Sequence, residues 1–301
     1  MMNFALGSLF GFCLFWILSD SFFMFCLRSV TLSLFGKSEF FDQQEQLLNI
    51  EQNSSWANLG YWSNTRSYPQ AAKAMAVLLG ERCKLNSHDK VIDIGFGNGD
   101  QLCLWIEHFQ VREVQGFNIS ESQNALARRR TRALERVNIF QGSFQQVPTD
   151  TRVDKILALD CAYHFQSRET FFSFCHKTLN PEGGIGLVDL TVNLSQVSFI
   201  EKGMVRLMAA ASKIPLENLV DRSTYEKQLS DHHLELLEWE DISEQVFSPF
   251  SQFVAHHHTE FASWSKPDHW FKYRISAWVL QWLYERRLIS LAVIIAKQGT
   301  K

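Results

Sequence analysis

The sequence predicts a doubly wound α/β fold: a seven-stranded, mostly parallel sheet with helices on both faces. Three observations predict it. Short apolar runs alternate with helical stretches between Val91 and Leu190, the rhythm of a parallel sheet with crossover helices. The first run is followed by glycines at alternate positions, Gly95, Gly97 and Gly99, as in a tight strand-to-helix turn. Two further strand-like runs, Glu235–Ile242 and Leu288–Ala296, depart from the rhythm and complete the sheet.

The elements follow in order. Phe4 to Leu27 reads FALGSLFGFCLFWILSDSFFMFCL, with Asp20 as its one formal charge. About 20 apolar residues cross a bilayer as helix. No basic residue precedes the stretch, so it lacks the start of a signal peptide. Arg28 and Lys37 come after it and place the bulk of the chain on the cytoplasmic side. Asp20 is costly at a bilayer centre, so an interfacial or re-entrant helix is the alternative to a spanning one, and a helix packed in the soluble fold is a further reading. The expected organisation is a membrane anchor over 1–40 and a catalytic domain over 41–301.

After the polar Gln43–Ser55, Ala71–Leu79 reads as helix with Gly80 as its stop. Val91–Ile94 is the first strand and Gln101–Phe109 the helix behind it. Glu113–Ile119 is the second strand. Ser120–Glu135 is its helix, with Ser120 and Gln123 spaced as a capping box. Val137–Phe140 and Lys155–Leu159 are strands three and four, and helix Arg168–Leu179 follows. The turn Asn180–Gly183 leads into strand five, Gly184–Leu190. A small helical cap is expected from 197–233 and 244–287. The second piece carries Trp264, Trp270, Trp278 and Trp282, of which Trp278 and Trp282 share a helix face.

With 301 residues the chain has ample length for a buried core. A net charge of −3 leaves no electrostatic footprint for nucleic acid. The one basic run, Arg128–Arg130 with Arg132, reads as a solvated helix face. The six cysteines form no C-x-x-C pair and read as reduced thiols, with no zinc spacing among them. Abundant aromatics, 25 Phe and 9 Trp, point to apolar surface beyond core needs and a greasy ligand.

Val91–Asp100, VIDIGFGNGD, decides the cofactor class. A dinucleotide fingerprint needs a packing glycine where this chain has Asp100, and a phosphate tolerates poorly an acid placed before the turn. Asp93 suits a cation instead. S-adenosylmethionine (SAM) carries an ammonium and a sulfonium and no phosphate, so charge favours it over NAD.

The pattern Asp93-x-Gly95-x-Gly97-x-Gly99 resembles motif I of class I SAM-dependent methyltransferases. NLGYW (Asn58–Trp62), GFNISESQ (Gly116–Gln123), LDCAYHF (Leu159–Phe165) and LNPEGGIGLVDL (Leu179–Leu190) resemble, in the same order, further segments of the small-molecule members. Those members are the sterol, tocopherol, cyclopropane-synthase-like and sugar or macrolide O-methyltransferases. The resemblance implies a Rossmann-like fold and SAM as cofactor. It implies that Asp93, Gly95, Phe96, Gly97, Asn98, Gly99 and Gln101 cradle the methionine and ribose part of SAM. Tyr61 and Trp62 would close over it, with packing of the N-terminal helix as their other reading. Asn118 and Ile119 would reach the ribose, Asn118 standing where a carboxylate is usual. Ser143, where an Asp is usual, and Phe144 would meet the adenine. Asp160 would lie at the cofactor's edge.

Methyl transfer from SAM is an in-line displacement whose main demand is alignment. His164 is the candidate base, with pocket lining as its alternative role, and Tyr163 a wall or hydrogen-bond donor. Asp189 is a further candidate for the acceptor pocket. Phe261, Trp270 and Trp278 would form an apolar lid, or a helix-face core. His256–His258 invites a metal reading that adjacent helical positions, about 100° apart, make poor, and no metal is expected. The expected function is methyl transfer from SAM to a small, lipophilic acceptor at a membrane surface. A membrane-tethered, non-catalytic SAM-binding scaffold is the second reading.

Overall fold

The computed structural model describes residues 48, 49, 54–195, 197–257 and 267–299. The expected anchor over 1–40, and with it Phe4–Leu27, lies outside these residues, as do His258, Phe261 and Trp264. Among the described residues no helix is long and apolar enough to cross a membrane.

The chain begins its regular structure with helix α1 (Tyr68–Arg82), then runs β1 (Lys90–Ile94), α2 (Asp100–Glu107), β2 (Glu113–Asn118), α3 (Glu121–Arg130), β3 (Val137–Gln141), β4 (Val153–Leu159), α4 (Arg168–Thr178) and β5 (Leu179–Val192). Helices α5 (Phe199–Ala211) and α6 (Arg222–Asp231), strand β6 (Leu234–Asp241), helices α7 (Ser243–His256) and α8 (Pro267–Glu285) and strand β7 (Ile289–Gln298) follow. The seven strands form one sheet in the order β3-β2-β1-β4-β5-β7-β6. β3 to β5 pair in parallel, and β7 enters antiparallel between β5 and β6. The predicted seven-stranded, mostly parallel sheet is therefore the one observed.

Two apolar layers hold the sheet. On one face, β1 and β7 side chains such as Val91, Val293 and Leu291 pack with α1, α2, α7 and α8 through Met75, Leu79, Trp105, Phe247, Phe250 and Leu283. On the other, Ile92, Ile156 and Ile294 pack with α4 and α6 through Phe171, Phe172, Cys175, Tyr225 and Leu229. Alternate strand residues point to opposite faces, so strands buried on both sides are apolar throughout.

The boundaries differ from the sequence reading for physical reasons. α1 does not stop at Gly80: a Cβ there would lie 2.3 Å from the Phe109 ring, so the glycine is a slot for that ring inside the helix. α3 ends at Arg130, not Glu135. Ser120 caps it by accepting from the Gln123 N–H, but the Gln123 side chain turns to Asn118 and not back to Ser120. The expected turn at Asn180–Gly183 is a bulge within β5, taken up by a register shift against Val153–Lys155 of β4. The two expected cap segments have mixed roles. α6 buries Tyr225 and Leu229 against the sheet, and α7 and α8 cover its other face. Arg128–Arg130 is not wholly solvated, because Arg130 reaches the buried Asp100 at 2.8 Å.

Candidate cofactor and acceptor site

Open α/β sheets bind ligands beyond the carboxyl ends of their strands, where the strand order reverses. Here that place lies between β1 and β4, because the chain runs outward one way through β2 and β3 and the other way through β4 and β5. The turn after β1 has three left-handed glycines, with φ of 75°, 59° and 94° at Gly95, Gly97 and Gly99. Each conformation is one that a Cβ resists. A Cβ on Gly95 would meet Cys161 Sγ at 2.7 Å, and one on Gly99 would meet Ala127 at 2.8 Å. A Cβ on Gly97 would meet only Ala57, at 3.6 Å, so this glycine borders open space.

Asp93 is fully buried beneath the turn. It accepts two bonds from the Gln101 amide at 2.9 Å and one from the Trp105 indole N–H at 2.6 Å. Burial raises its carboxyl to about 6 in spite of these donors. Asp93 and Gln101 thus tie β1 to α2 and hold the turn from below. Asp100 is pinned by Arg130 and by the Ser55 N–H, with burial raising it to about 6. Phe96 is also internal: its ring fills the space over Gly116, where a Cβ would lie 2.7 Å from it. Its side chain belongs to the core, which leaves backbone groups as what Phe96 can offer a ligand.

The ends of β2 and β3 are arranged in the same way. Asn118 donates to the Gly97 carbonyl at 3.2 Å and to Gln123 at 2.8 Å, and accepts from the Ser120 N–H at 3.3 Å. Its amide is engaged in stapling the glycine turn to α3. Ile119, next along the chain, is 43 % exposed and offers an apolar face beside it. Ser143 caps the single turn Phe144–Gln146, accepting from the Gln145 N–H while its own N–H donates to Gln146 Oε1. Phe144 packs among Phe165, Phe171 and Phe174 at 5.3–5.5 Å between ring centroids, so its ring serves the core.

The NLGYW segment lies over the carboxyl end of β4. Asp160, at the left-handed φ of 56°, accepts from the Leu59 N–H and from the Tyr163 hydroxyl, each at 2.8 Å. Burial outweighs both donors and raises its carboxyl to about 7. Trp62 is buried, donates its indole N–H to the Leu59 carbonyl and packs on Phe253 of α7 and Tyr68 of α1. Packing of the N-terminal helix, the alternative reading, thus describes Trp62, while Tyr61 keeps a partly open ring. The His164 ring lies 4.4 Å from that of Tyr163 and meets the backbone of Ser212 and Lys213, just after α5. Burial lowers it to about 4, so the imidazole is neutral at neutral pH.

The sequence reading missed a buried polar network that fixes this loop. Arg168 and Asp189 are both inaccessible and pair at 2.8 Å. The Tyr225 hydroxyl donates to the same carboxylate at 2.9 Å, and Arg168 reaches the Asn218 and Leu190 carbonyls. Asn218 donates in turn to the carbonyls of Tyr163 and Phe165. Asp189, a candidate for the acceptor pocket, is instead the centre of this network. An acid inside the apolar run GLVDLTV was the available signal, since a buried charge needs a partner. Of the histidine run, the rings of His256 and His257 stand at 90° to each other, and no group of three metal-ligating residues occurs among the described residues.

One buried atom tests whether the site fits SAM. Asn98, in the glycine turn, donates its amide to the Ser55 carbonyl, but its buried side-chain oxygen has no hydrogen-bond partner. An acceptor oxygen left bare beside an open glycine suits a cationic group. With the left-handed turn and the apolar face of Ile119, the residues fit.

Comparison with known proteins points to the same class of enzyme. The family described as "Methyltransferase domain" matches residues 91–183, from β1 through the bulge in β5. The chain carries a methyltransferase domain over those residues, and its relatives support a SAM-dependent methyltransferase of the small-molecule type. The erythromycin 3''-O-methyltransferase of Saccharopolyspora erythraea is 27% identical over 206 residues, covering 65% of this chain and 67% of the relative. The methyltransferase GfsG of Streptomyces halstedii is 28% identical over 218 residues, covering 69% and 76%. In fold, a cyclopropane synthase of Mycobacterium tuberculosis aligns with a TM-score of 0.73 at 15% identity, covering 85% of this chain and 95% of that one. A geranyl diphosphate C-methyltransferase of Streptomyces coelicolor aligns with a TM-score of 0.69 at 15% identity, covering 86% and 95%.

As a small-molecule methyltransferase the protein uses SAM, which supplies a methyl group already activated on sulfur. The enzyme's own residues bind and align. The turn from Gly95 to Gly99 presents backbone groups, and Asn98 the bare carbonyl oxygen. Asp93, Gln101 and Asn118 hold that turn in shape, and Asp160 clamps the NLGYW segment onto the sheet.

Proposed function

We propose that the acceptor is a small, lipophilic molecule bearing a hydroxyl, methylated at a membrane surface. The observation that carries this reading is a set of half-buried apolar residues on the segments next to the ends of β4 and β5. Tyr163, Leu194 and Val197 follow β4 and β5 along the chain, Tyr61 lies on the segment held by Asp160 and Met208 on the helix whose end meets His164, and all five are half-buried against the core. Such partly wetted apolar groups are what a ligand of like character covers. The macrolide O-methyltransferase relative supports a hydroxyl as the receiving group. Phe4–Leu27 is assigned to hold the enzyme at the membrane where such an acceptor partitions, with the catalytic domain facing the cytoplasm.

In this reading Tyr163 and His164 line the acceptor side. Asp160, at about 7, is the group beside them whose ionisation falls in the working range, whereas His164 stays neutral. The backbone of Gly95–Gly99, with Asn98 and Ile119, contacts the cofactor, and Tyr61 closes over it. The test is transfer of radiolabelled methyl from SAM to a panel of hydroxyl compounds matched in size and graded in polarity. Transfer that rises with lipophilicity is expected. Transfer confined to charged or strongly polar acceptors overturns the reading.

A further inference from the structure

The helix beside the acceptor site is turned inside out. α5 buries only Val205 and Ala209, while Phe199 is 88 % exposed, Ile200 75 % and Leu207 64 %. At about 100° per residue, Phe199, Ile200, Gly203, Leu207, Ala210 and Ala211 fall in one arc facing away from Val205 and Ala209. No charged residue lies in that arc. Lys202 and Arg206 border it on one side, and neither pairs with an acid among the described residues. On the other border Glu201 is neutralised, capping Ser198 and pairing with Arg286 at 3.1 Å. Leu216, 61 % exposed, extends the apolar surface just past the helix, beside the exposed Glu217.

We infer that α5 is a docking helix for an anionic phospholipid bilayer, with Phe199, Ile200 and Leu207 entering the acyl boundary and Lys202 and Arg206 meeting lipid phosphates. This deepens the proposed function and rests on it: the acceptor would pass from the bilayer into the site along α5. Charge chooses the occupant. A helix lying in the interface presents apolar residues inward and cations at headgroup level, which is the order found here. A second copy packed antiparallel by twofold symmetry would set the same unpaired cations against their equivalents. The backbone just after α5, Ser212 and Lys213, meets His164, so docking brings the acceptor side of the site to the bilayer.

The experiment is hydrogen exchange on the full-length enzyme, with phosphatidylglycerol-containing vesicles, with pure phosphatidylcholine vesicles and with none. Exchange across Phe199–Ala211 should slow with the anionic vesicles and little with the neutral ones. Replacing Phe199→Asp and Leu207→Asp together should abolish this protection, and both positions are exposed enough to leave the melting temperature and SAM affinity unchanged. Lys202→Gln with Arg206→Gln should weaken vesicle-dependent protection about 25-fold, each cation near an anionic surface being worth about fivefold. No slowing with anionic vesicles overturns the inference. So does protection that needs no vesicle: if it grows with protein concentration a second copy covers the helix, and if not, another part of the chain does. An enzyme that methylates lipophilic acceptors in detergent but shows no vesicle protection would lose the docking helix and keep its proposed function. The reverse result would keep the helix and lose the acceptor class.

Discussion

Gly97 and Gly99 share a left-handed backbone, yet their surroundings differ, and that difference separates binding from folding. A Cβ on Gly99 would press on the Ala127 Cβ and Cα at 2.8 and 2.9 Å, where α3 crosses the start of α2. Gly99→Ala should therefore cost about 3 kcal/mol, the left-handed penalty plus a backbone clash, read by urea unfolding. At Gly97 a Cβ meets open space, so Gly97→Ala should cost only about 1–2 kcal/mol of backbone strain. Gly97→Arg should abolish SAM binding in calorimetry while leaving a folded protein, and normal binding by it would remove the turn from the site. His164 and Asp160 separate by pH. His164→Ala should lower turnover about tenfold with SAM affinity retained, a loss of about 1.4 kcal/mol in alignment. It should leave the rise of activity through pH 7 intact, because a group near 4 is already neutral there. Asp160→Asn should remove that rise, and a profile that His164→Ala flattens would return the titrating role to the histidine.

At the scale of elements, the Arg168–Asp189 pair joins the start of α4 to β5 and, through Asn218, to the loop carrying Tyr163 and His164. Arg168→Met leaves a buried carboxylate with only Tyr225 and the Leu190 N–H to answer it. It should cost about 3–5 kcal/mol, measured by thermal or urea unfolding, and a loss under about 1 kcal/mol would mean the pair is solvated. The network also marks where the sequence stops being readable. Strands and glycine turn were legible because their signals are local: apolar runs, and backbone angles that only glycine adopts freely. Helix α1 ran past Gly80 because a ring from Phe109 fills it, a contact no local pattern announces. The same holds at the site. Asp93, Gln101, Asn118 and Phe144 were singled out by position alone, and their side-chain directions depend on Trp105, Gln123 and Phe171, brought to them by the fold.

Across the whole molecule, buried acids set how stability responds to pH. Asp93 and Asp100 are raised to about 6 and Asp160 to about 7, all chiefly by burial, from an ordinary value of 3.8. Between pH 7 and 4 the folded state therefore holds protons that the unfolded chain has released, and stability rises as pH falls. His164 opposes this. Lowered from 6.5 to about 4, it stays neutral in the fold while the unfolded imidazole gains a proton. From pH 7.5 to 5.5 the three carboxyls outweigh the one histidine, leaving a net gain of about 2 kcal/mol. For a domain of this size that raises the melting temperature about 5 °C, measurable by calorimetry in buffers matched for ionic strength. A steady fall in melting temperature over that range would mean these carboxylates are charged and compensated in the fold. Asp93→Asn isolates one of them. An amide there still accepts from the Trp105 N–H, and the Gln101 amide can turn over to accept from it, so the site remains satisfied without a charge. The variant should match or exceed the parent at pH 7.5 and gain less on acidification. An unchanged pH response would place the protonation of Asp93 outside the range in which the fold is tested.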